Sequence, residues 1–255
     1  MADIATHLPY ALRQFESEII VPLTIFGVDA SFTNGSSAKL VTLLLLSVYM
    51  IAAMREGAMV PSRLQASAEF LYTTVAGTVT RIAGPEAKSS IPFIFSVTTF
   101  ILFGTLLGLT PIKETFTAHL LVTLSLAMAV FVHVNVIAFQ RHGLGFFRLF
   151  LPHGVPVFVA PVLVLVEVVS YLFRPLTLGF RIFANIFAGH VMLKLFGDMC
   201  AMLVTALGTT GIFASVLPVI VMVVLLGFEI MVVIVQSYIF LLISSMYLRD
   251  AIHLH

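Results

Sequence analysis

Residues 165–196 read LVEVVSYLFRPLTLGFRIFANIFAGHVMLKLF, an apolar stretch interrupted by ionisable side chains. These are Glu167, Arg174, Arg181, His190 and Lys194. The stretch belongs to an apolar segment from about 157 to 207, and another runs from about 212 to 247. At 1.5 Å per residue such helices would be about 75 and 54 Å long, against a hydrocarbon core of about 30 Å. We expect a hairpin of two long helices that are tilted, bent or longer than the membrane is thick.

The composition of the whole chain also predicts a membrane protein. Of 255 residues, 60% are hydrophobic and 10% are charged, whereas soluble domains carry about 25% charged residues. A formal net charge of +1 gives no sign of a nucleic-acid partner. The single cysteine, Cys200, excludes an intrachain disulfide and an all-cysteine metal site.

Three further spans are predicted upstream. Charged side chains are costly near the bilayer centre, so the gaps between them indicate the spans. The first covers residues 40–54 and extends towards Ser36. The second lies between Lys88 and Lys113, and the third between Glu114 and Arg141, with a short hairpin at 111–114 between them.

Residues 61–83 predict an amphipathic helix at the membrane interface. Apolar residues recur there at helical spacing: Leu64, Ala68, Leu71, Val75, Val79 and Ile82. Pro61 is expected in the first turn. A further transmembrane span is the alternative, but Arg63, Glu69 and Arg81 are too closely spaced to favour it.

The fold class expected is therefore an all-α integral membrane protein. It has four to five membrane-crossing helices, including a long tilted C-terminal hairpin, and one interfacial amphipathic helix. We divide the chain into an N-terminal outer-side segment (1–35), the first three spans with the interfacial helix (36–150), and the hairpin (151–255). The first thirty residues have no apolar core typical of a cleaved signal peptide, so we expect them to be retained.

The orientation follows from the basic residues of the short loops. Five crossings put one group of them on the same side: Arg55, Arg63, Arg81, Lys88, Arg141, Arg148 and Arg249. The opposite side holds Arg13, Lys39 and Lys113. The positive-inside rule then predicts that the N-terminus is outside and the C-terminus inside.

The hairpin helices carry polar faces. Glu167, Arg174 and Arg181 are seven residues apart and Asn185 follows four later, so these four share a face, while His190 lies half a turn round. On the second long helix, Glu229 and Gln236 are also seven apart. Counted from the LGTTG turn at 207–211, His190 lies about 19 residues back and Glu229 about 18 forward, so we expect the two to approach each other at matching depths.

These residue types predict proton movement. Glutamate and histidine titrate between about pH 4 and 7 when unperturbed, so inside a membrane they can relay protons. An arginine stays charged and can instead provide a fixed positive field. A purely structural pairing of Glu167 with Arg181 is one alternative, and neutralisation of Arg174 by Glu167, seven residues before it, is another. Arg174 itself has no assigned function.

The order E-x(13)-R-x(3)-N-x(4)-H, followed by E-x(6)-Q, resembles subunit a of the F-type ATP synthase membrane sector. RLQASAEFLY at 63–72 and IPFIFSVTTFILFGTLLGLTP at 91–111 also resemble that family, more weakly. The resemblance implies a proton-translocating stator subunit. Its site residues are carried over here by position: Arg181, Asn185, His190, Glu229, Gln236 and Glu167.

The resemblance also implies a role for each of these residues. Arg181 would face the carboxylate of each passing c subunit, and Asn185, His190, Glu229 and Gln236 would line an outer half-channel. Glu167 would belong to the inner half-channel. The implied partners are the c-subunit ring, peripheral-stalk b-type subunits, other ATP synthase subunits and membrane lipid. The location would be a bacterial inner membrane or the mitochondrial inner membrane.

No Walker-type phosphate loop occurs, so we expect ATP chemistry on another chain. We also expect no catalytic site of its own, no cofactor and no metal in this chain. A stand-alone proton-coupled secondary transporter or channel is the second hypothesis, although the two halves do not match as inverted repeats would. An intramembrane hydrolase built on Glu229 and His190 is the third. We expect no metal pair of His119 and His133, because they have no carboxylate or cysteine neighbours. Lys194 with Asp198 is expected to form an interface anchor or a salt bridge, with a proton relay as the alternative.

Overall fold

The computed structural model describes residues 19–21, 24–25, 28–29, 32–55, 61–110, 118–143, 145–146 and 160–253. Within this part the α-helices are α1 (Asn34–Met54), α2 (Arg63–Ala83), α3 (Ile91–Gly108), α4 (Leu120–His142), α5 (Ala160–Leu207), α6 (Thr209–Ala214) and α7 (Val216–Ile252). A 3-10 helix, Pro85–Ser90, precedes α3. The predicted hairpin at 111–114 and the basic residues Arg13, Lys113 and Arg148 lie outside the described residues.

Four short strands precede α1, and the sequence did not predict them. Strand β1 (Ile19–Val21) pairs antiparallel with β4 (Phe32–Thr33), and β2 (Thr24–Ile25) pairs antiparallel with β3 (Val28–Asp29). The rest of the described chain is helical, as the predicted fold class requires.

Among the described residues, five helical segments are long and apolar enough to cross a membrane, by length and composition. They are Gly35–Met54, Pro85–Gly108, Leu120–His142, Ala160–Leu207 and Thr209–Ile252. The first three correspond to the predicted upstream spans and the last two to the long hairpin. The expected all-α membrane architecture is therefore confirmed.

The hairpin turn follows the predicted glycine-rich sequence but differs in detail. Gly208 has φ +58°, a left-handed conformation that favours glycine, and α5 ends beside it. The short helix α6 then separates the two long helices, so α7 begins at Val216 rather than near 212. At its other end α7 continues to Ile252, beyond the predicted limit near 247, and includes Arg249 in its last turn.

Helix α2 forms where the amphipathic pattern predicts it, but its buried face is rotated about the helix axis relative to the predicted apolar face. Ser62 caps the helix by accepting a hydrogen bond from the Gln65 N–H (3.3 Å), so Pro61 lies before the helix rather than in its first turn. Leu64 is 54% exposed, whereas Gln65 is buried and donates to the Glu69 carboxylate (2.8 Å). The buried side of α2 therefore begins with a polar residue.

Helix α2 contacts α1, α3 and the end of α7 on one side of the helix bundle. The Tyr49 hydroxyl of α1 lies 2.6 Å from the Ser67 hydroxyl, and the Tyr72 ring packs edge-on against Phe95 near the start of α3. At its C-terminal end, Gly84 lies close to His253 after α7. A helix in this position fits one that lies across an end of the bundle.

Several predicted basic positions lie at this same end of the bundle. Arg141, in the last turn of α4, forms an ion pair with Glu86 of the 3-10 helix that contains Lys88. His142 lies 3.3 Å from the Ile252 carbonyl oxygen at the end of α7, close to Arg249. The predicted grouping of these basic residues on one side is consistent with these contacts.

The described core lies where α2, α3, α4, α5 and α7 meet. Its largest fully buried side chains are Val79, Ile94, Ile101, Val130, Leu178, Ile182, Phe240, Leu241 and Leu248. Gly179 lets α5 approach α4 closely, because a Cβ there would lie 3.0 Å from the Leu124 Cα. Buried hydroxyls such as those of Thr105 and Ser245 donate to carbonyl oxygens of their own helices, which satisfies them without water.

Candidate proton-path site

Helices α5 and α7 are antiparallel and contact each other through polar side chains at successive levels. Arg174 lies opposite Asp250, Asn185 opposite Gln236, and His190 opposite Glu229. The residue numbers rise along α5 as they fall along α7, as they must in an antiparallel pair. These contacts form two groups. We call Asn185, His190, Glu229 and Gln236 the His190 cluster, and Glu167, Tyr171, Arg174, Tyr247 and Asp250 the Arg174 cluster.

The His190 cluster is centred on a buried carboxylate. The Glu229 side chain is 6% exposed, and the Nε2 atom of His190 lies 4.0 Å from its Oε1 atom. Among the described residues, no hydrogen-bond donor reaches either oxygen of Glu229. The predicted approach of His190 and Glu229 is confirmed, at a separation that one bridging water would span.

A glycine makes room for this carboxylate. Gly189 of α5 faces Glu229, and a Cβ atom at that position would overlap the carboxylate, with the Glu229 Cδ only 2.7 Å away. A distance below 3 Å requires the neighbouring group to move. The close approach of α5 to Glu229 therefore depends on the absence of a side chain at position 189.

The same cluster contains a pair of amides. The Asn185 side-chain N–H donates to the Gln236 Oε1 atom at 2.9 Å, while the Gln236 Nε2 atom is buried without an acceptor among the described residues. A cavity between α3, α5 and α7 touches Asn185, Glu229, Gln236 and Thr105. Its volume of about 10 Å³ is close to the minimum for one water molecule.

The Arg174 cluster holds its charges in direct contact. The Arg174 Nη1 atom donates to the Asp250 carboxylate at 3.1 Å, and its Nη2 atom lies 4.0 Å from the Glu167 Oε1 atom. The guanidinium also lies over two rings, with its Cζ atom 5.4 Å from the Tyr171 centroid and 5.5 Å from that of Tyr247. One arginine thus contacts two carboxylates and two aromatic faces.

Two further hydrogen bonds tie this cluster to its surroundings. The Tyr171 hydroxyl donates to Asn135 of α4 at 2.8 Å, and the Tyr247 hydroxyl donates to the Arg174 carbonyl oxygen at 3.4 Å. The cluster therefore links α4, α5 and α7. Arg174, for which the sequence offered only neutralisation by Glu167, is its centre.

Arg181 lies between the two clusters. It is seven residues from Arg174 and nine from His190, or about 10 and 13 Å along α5. Its side chain is exposed, and among the described residues no carboxylate lies within 4 Å of its guanidinium. The structural alternative of an ion pair between Arg181 and Glu167 is therefore wrong within the described chain, since Glu167 contacts Arg174 instead.

Sequence reasoning missed Asp250, which forms the direct ion pair with Arg174. The signal was present, because Asp250 follows Gln236 by fourteen residues and Glu229 by twenty-one, in whole multiples of seven. Position 243 in that series is isoleucine, and Asp250 lies beyond the predicted end of the helix near 247. The buried Thr105 of α3, which touches the cavity, carried no comparable signal.

Four ionisable residues outside the two clusters had weaker predictions: Lys194, Asp198, His119 and His133. No ion pair within 4 Å joins Lys194 and Asp198, so of their two predicted roles the salt bridge does not form and the interface anchor stays a prediction. The His133 ring stacks on Phe93 with centroids 4.1 Å apart. His119 lies at the start of α4, where burial, and then Lys39, lowers its pKa below the usual value. Within the described part of the chain, no three potential metal ligands cluster.

Comparison with known proteins decides the family. Residues 37–249 match the family described as ATP synthase A chain. The chain belongs to this family. It is 41% identical to ATP synthase subunit a of Parvibaculum lavamentivorans, over 95% of this chain and 93% of that protein. It is 38% identical to ATP synthase subunit a of Paramagnetospirillum magneticum, over 96% of this chain and 98% of that protein.

Membership of the ATP synthase A chain family gives the chain its general function. It is a membrane subunit of the F-type ATP synthase and takes part in ATP synthesis and proton transport. The matched region reaches from the fourth residue of α1 to Arg249 near the end of α7, so it contains every residue of the two clusters except Asp250.

Proposed function

We propose that the chain is the proton-translocating stator subunit of the ATP synthase and provides two half-channels separated by Arg181. A proton passes through the His190 cluster, neutralises a carboxylate on the rotor, travels with the rotor through lipid, and leaves past Glu167. In the opposite direction the same steps run in reverse. The chain itself forms and breaks no covalent bond other than those to the proton.

This proposal rests on one observation, the exposure of Arg181 without a carboxylate partner among the described residues. A guanidinium cannot lose its proton in a protein, so it cannot relay protons. Its exposure on a membrane helix, without a carboxylate from the described chain, leaves it free to attract one from a partner. At about 4 Å, two opposite charges interact by roughly 4 kcal/mol when the effective dielectric constant is about 20. This attraction favours the charged form of a rotor carboxyl group that approaches Arg181, so the group gives up its proton to the half-channel and the resulting carboxylate is held near Arg181.

The His190 cluster supports the outer half-channel. Glu229 can take up and release a proton, because neither of its oxygens is engaged by a donor of the described chain. His190 lies within reach through one water, and the Asn185–Gln236 pair extends the polar surface towards Arg181. A proton can therefore move along the α5–α7 contact towards the rotor.

Glu167 supports the inner half-channel. It lies on the other side of Arg181, fourteen residues or about 21 Å along α5, and its side chain is about one-third exposed. Its contact with Arg174 at 4.0 Å is long enough to leave its oxygens available to water. The two half-channels are thus offset along one helix.

The orientation and partners follow from the same proposal. The end of the bundle that holds Arg141, Lys88 and Arg249 faces the inside of a bacterial or mitochondrial inner membrane, with α2 at that interface and the N-terminus outside. The exposed face of Arg181 meets the c-subunit ring. Peripheral-stalk b-type subunits hold the chain against rotation.

The test is proton pumping by the assembled complex in inverted vesicles. Arg181→Ala should lower ATP-driven proton uptake at least 100-fold, a loss of about 2.7 kcal/mol in barrier terms, while the complex still assembles. Arg249→Gln is the matched control, because Arg249 is also an exposed arginine on a hairpin helix but lies at the end of α7. It should leave pumping within twofold of wild type.

A different result would remove Arg181 from the mechanism. If Arg181→Ala keeps more than half of the coupled rate, the charge is not required. If both variants lose pumping equally, the loss reflects the number of basic residues and not the position of Arg181.

A further inference from the structure

The Arg174 cluster has one guanidinium for two carboxylates. The Arg174 Nη1 atom lies 3.1 Å from the Asp250 Oδ2 atom, whereas its Nη2 atom lies 4.0 Å from the Glu167 Oε1 atom. Hydrogen bonds between a guanidinium and a carboxylate are about 2.7–2.9 Å long, so the second contact is about 1 Å too long. One positive and two negative charges leave the cluster negative overall, and Glu167 is the less engaged of its two carboxylates.

The two carboxylates approach the guanidinium from different helices. Glu167 precedes Arg174 by seven residues on α5, whereas Asp250 lies near the end of α7. Among the described residues, no other cation lies within 4 Å of either carboxylate. Both carboxylate side chains are more than one-third exposed, so water reaches them. The carboxylates therefore compete for one cation, and water solvates the one that does not bind it directly.

Two aromatic rings fix where the guanidinium lies but not the direction in which its N–H groups point. The Arg174 Cζ atom is 5.4 Å from the Tyr171 centroid and 5.5 Å from the Tyr247 centroid. A ring face attracts the cation as a whole, whereas a hydrogen bond requires an N–H aimed at its acceptor. The hydrogen bond to Asp250 therefore turns the guanidinium towards α7.

Loss of the charge at position 250 would change this balance. An asparagine there could accept a hydrogen bond but would carry no charge. Glu167 would then be the one carboxylate within 4 Å of Arg174 in the described chain. A shift of about 1 Å at the end of a long side chain would bring the guanidinium within hydrogen-bond distance of Glu167. The direct ion pair would take the place of water at the Glu167 carboxylate.

We infer that Asp250 is a positioning residue for the inner half-channel: it binds Arg174 directly and so keeps the guanidinium about 1 Å beyond hydrogen-bond distance of Glu167. Glu167 then keeps water as its neighbour, and protons pass between that water and its carboxylate. Asp250 takes up no proton and acts only through Arg174. The role of Glu167 rests on the proposed function, but the position of Arg174 can be measured without turnover.

The direct test is a structure of the assembled ATP synthase carrying Asp250→Asn, determined by electron cryo-microscopy. The distance from Arg174 to the Glu167 carboxylate should shorten from 4.0 Å to about 2.9 Å. Asp250→Glu is the matched control, because it keeps a carboxylate at position 250 and should leave Arg174 bound there. A guanidinium that stays 4 Å from Glu167 in Asp250→Asn, or turns to solvent, would overturn the inference.

ATP-driven proton uptake tests whether this position of Arg174 matters. Asp250→Asn should slow uptake about fivefold, because Arg174 then closes on Glu167. Adding Arg174→Gln removes the cation that closes, so this double variant should return to within about twofold of wild type. Adding Glu167→Gln instead removes the carboxylate on which Arg174 closes. That double variant should lose only the roughly two- to threefold expected for Glu167→Gln alone.

A purely structural role of Asp250 predicts a different order of rates. Removing Arg174 would not restore a lost anchor of α7, so Asp250→Asn with Arg174→Gln would then be at least as slow as Asp250→Asn alone. That order would overturn the inference, and so would wild-type uptake by Asp250→Asn. Asp250→Glu should stay within about twofold of wild type, with all rates normalised to the amount of assembled complex.

These outcomes are distinct from failure of the proposed function. If Glu167 does not belong to the inner half-channel, Glu167→Gln pumps at the wild-type rate. The distance between Arg174 and Glu167 in Asp250→Asn does not depend on pumping, so it tests the positioning role of Asp250 in either case.

Discussion

The His190 cluster and the Arg174 cluster hold their carboxylates in different ways. Glu229 is buried, lies 4.0 Å from a histidine, and receives no hydrogen bond from the described chain. Asp250 receives one directly from Arg174, and Glu167 lies 4.0 Å from the same guanidinium. The first cluster contains no permanent cation, whereas the second is built round one.

This difference separates the proton exchange expected of Glu229 from the ion pair that Asp250 forms. A guanidinium in direct contact with a carboxylate makes a strong, charge-assisted hydrogen bond. Neither oxygen of Glu229 receives such a bond from the described chain. We therefore expect the His190 cluster to be more sensitive to loss of a titratable group than the Arg174 cluster.

Glu229→Gln should give the larger of the effects that distinguish the two clusters. The amide keeps the size of the side chain but cannot take up a proton, so coupled proton uptake should fall at least 30-fold. Asp250→Asn is the matched change in the Arg174 cluster and should lower uptake less than tenfold. Uptake in inverted vesicles, normalised to the amount of assembled complex, gives both values. Equal loss of proton uptake in the Asp250 and Glu229 variants would contradict the expected difference between the two clusters.

Gly189→Ala tests whether Glu229 needs its present position. The added methyl group would overlap the carboxylate and displace it, so uptake should fall about three- to tenfold. Gly197→Ala is the control on the same helix, because nothing lies within 4 Å of a Cβ there. Alanine favours a helix by about 1 kcal/mol over glycine, so neither change should weaken α5 itself. Equal rates for the two variants would mean that the Glu229 carboxylate works equally well when displaced.

Glu167→Gln should have the smallest effect, and its pH dependence is the informative part. Removing titration should slow coupled pumping two- to threefold near neutral pH. The loss should increase at high pH, where protons are scarce on the inner side. Pumping measured from pH 6 to 9 tests this. If the variant matches wild type over that range, Glu167 only contributes to the Arg174 cluster and the inner half-channel must lie elsewhere.

The sequence was sufficient for the helices of this fold because membrane helices have simple requirements. Each needs about twenty apolar residues and no internal charge unless it has a function, so the spans follow from the positions of the charged residues. The rotation of α2 could not be predicted in the same way. Gln65 is buried and Leu64 exposed because the helix packs against neighbours whose positions the sequence does not give.

The candidate site was predicted in part for a similar reason. Spacing alone brought His190 and Glu229 to matching depths, because a hairpin fixes depth by counting from its turn. Spacing did not predict that Arg174 would pair with Asp250, since this contact depends on how α5 and α7 are rotated about their axes. Asp250 fits the seven-residue spacing of Glu229 and Gln236, but position 243, between Gln236 and Asp250, is isoleucine, so the polar pattern is interrupted before Asp250.

The central claim is that Arg181 keeps two proton paths from joining. The most direct measurement is passive proton flux through membrane sectors whose rotor has been locked by a chemical cross-link, since rotation then contributes nothing. Locked wild type should conduct no more than lipid vesicles without protein, whereas locked Arg181→Ala should conduct at least tenfold more, because the two half-channels then connect. A locked Arg181→Ala sector as tight as wild type would contradict the claim that this charge separates the two paths.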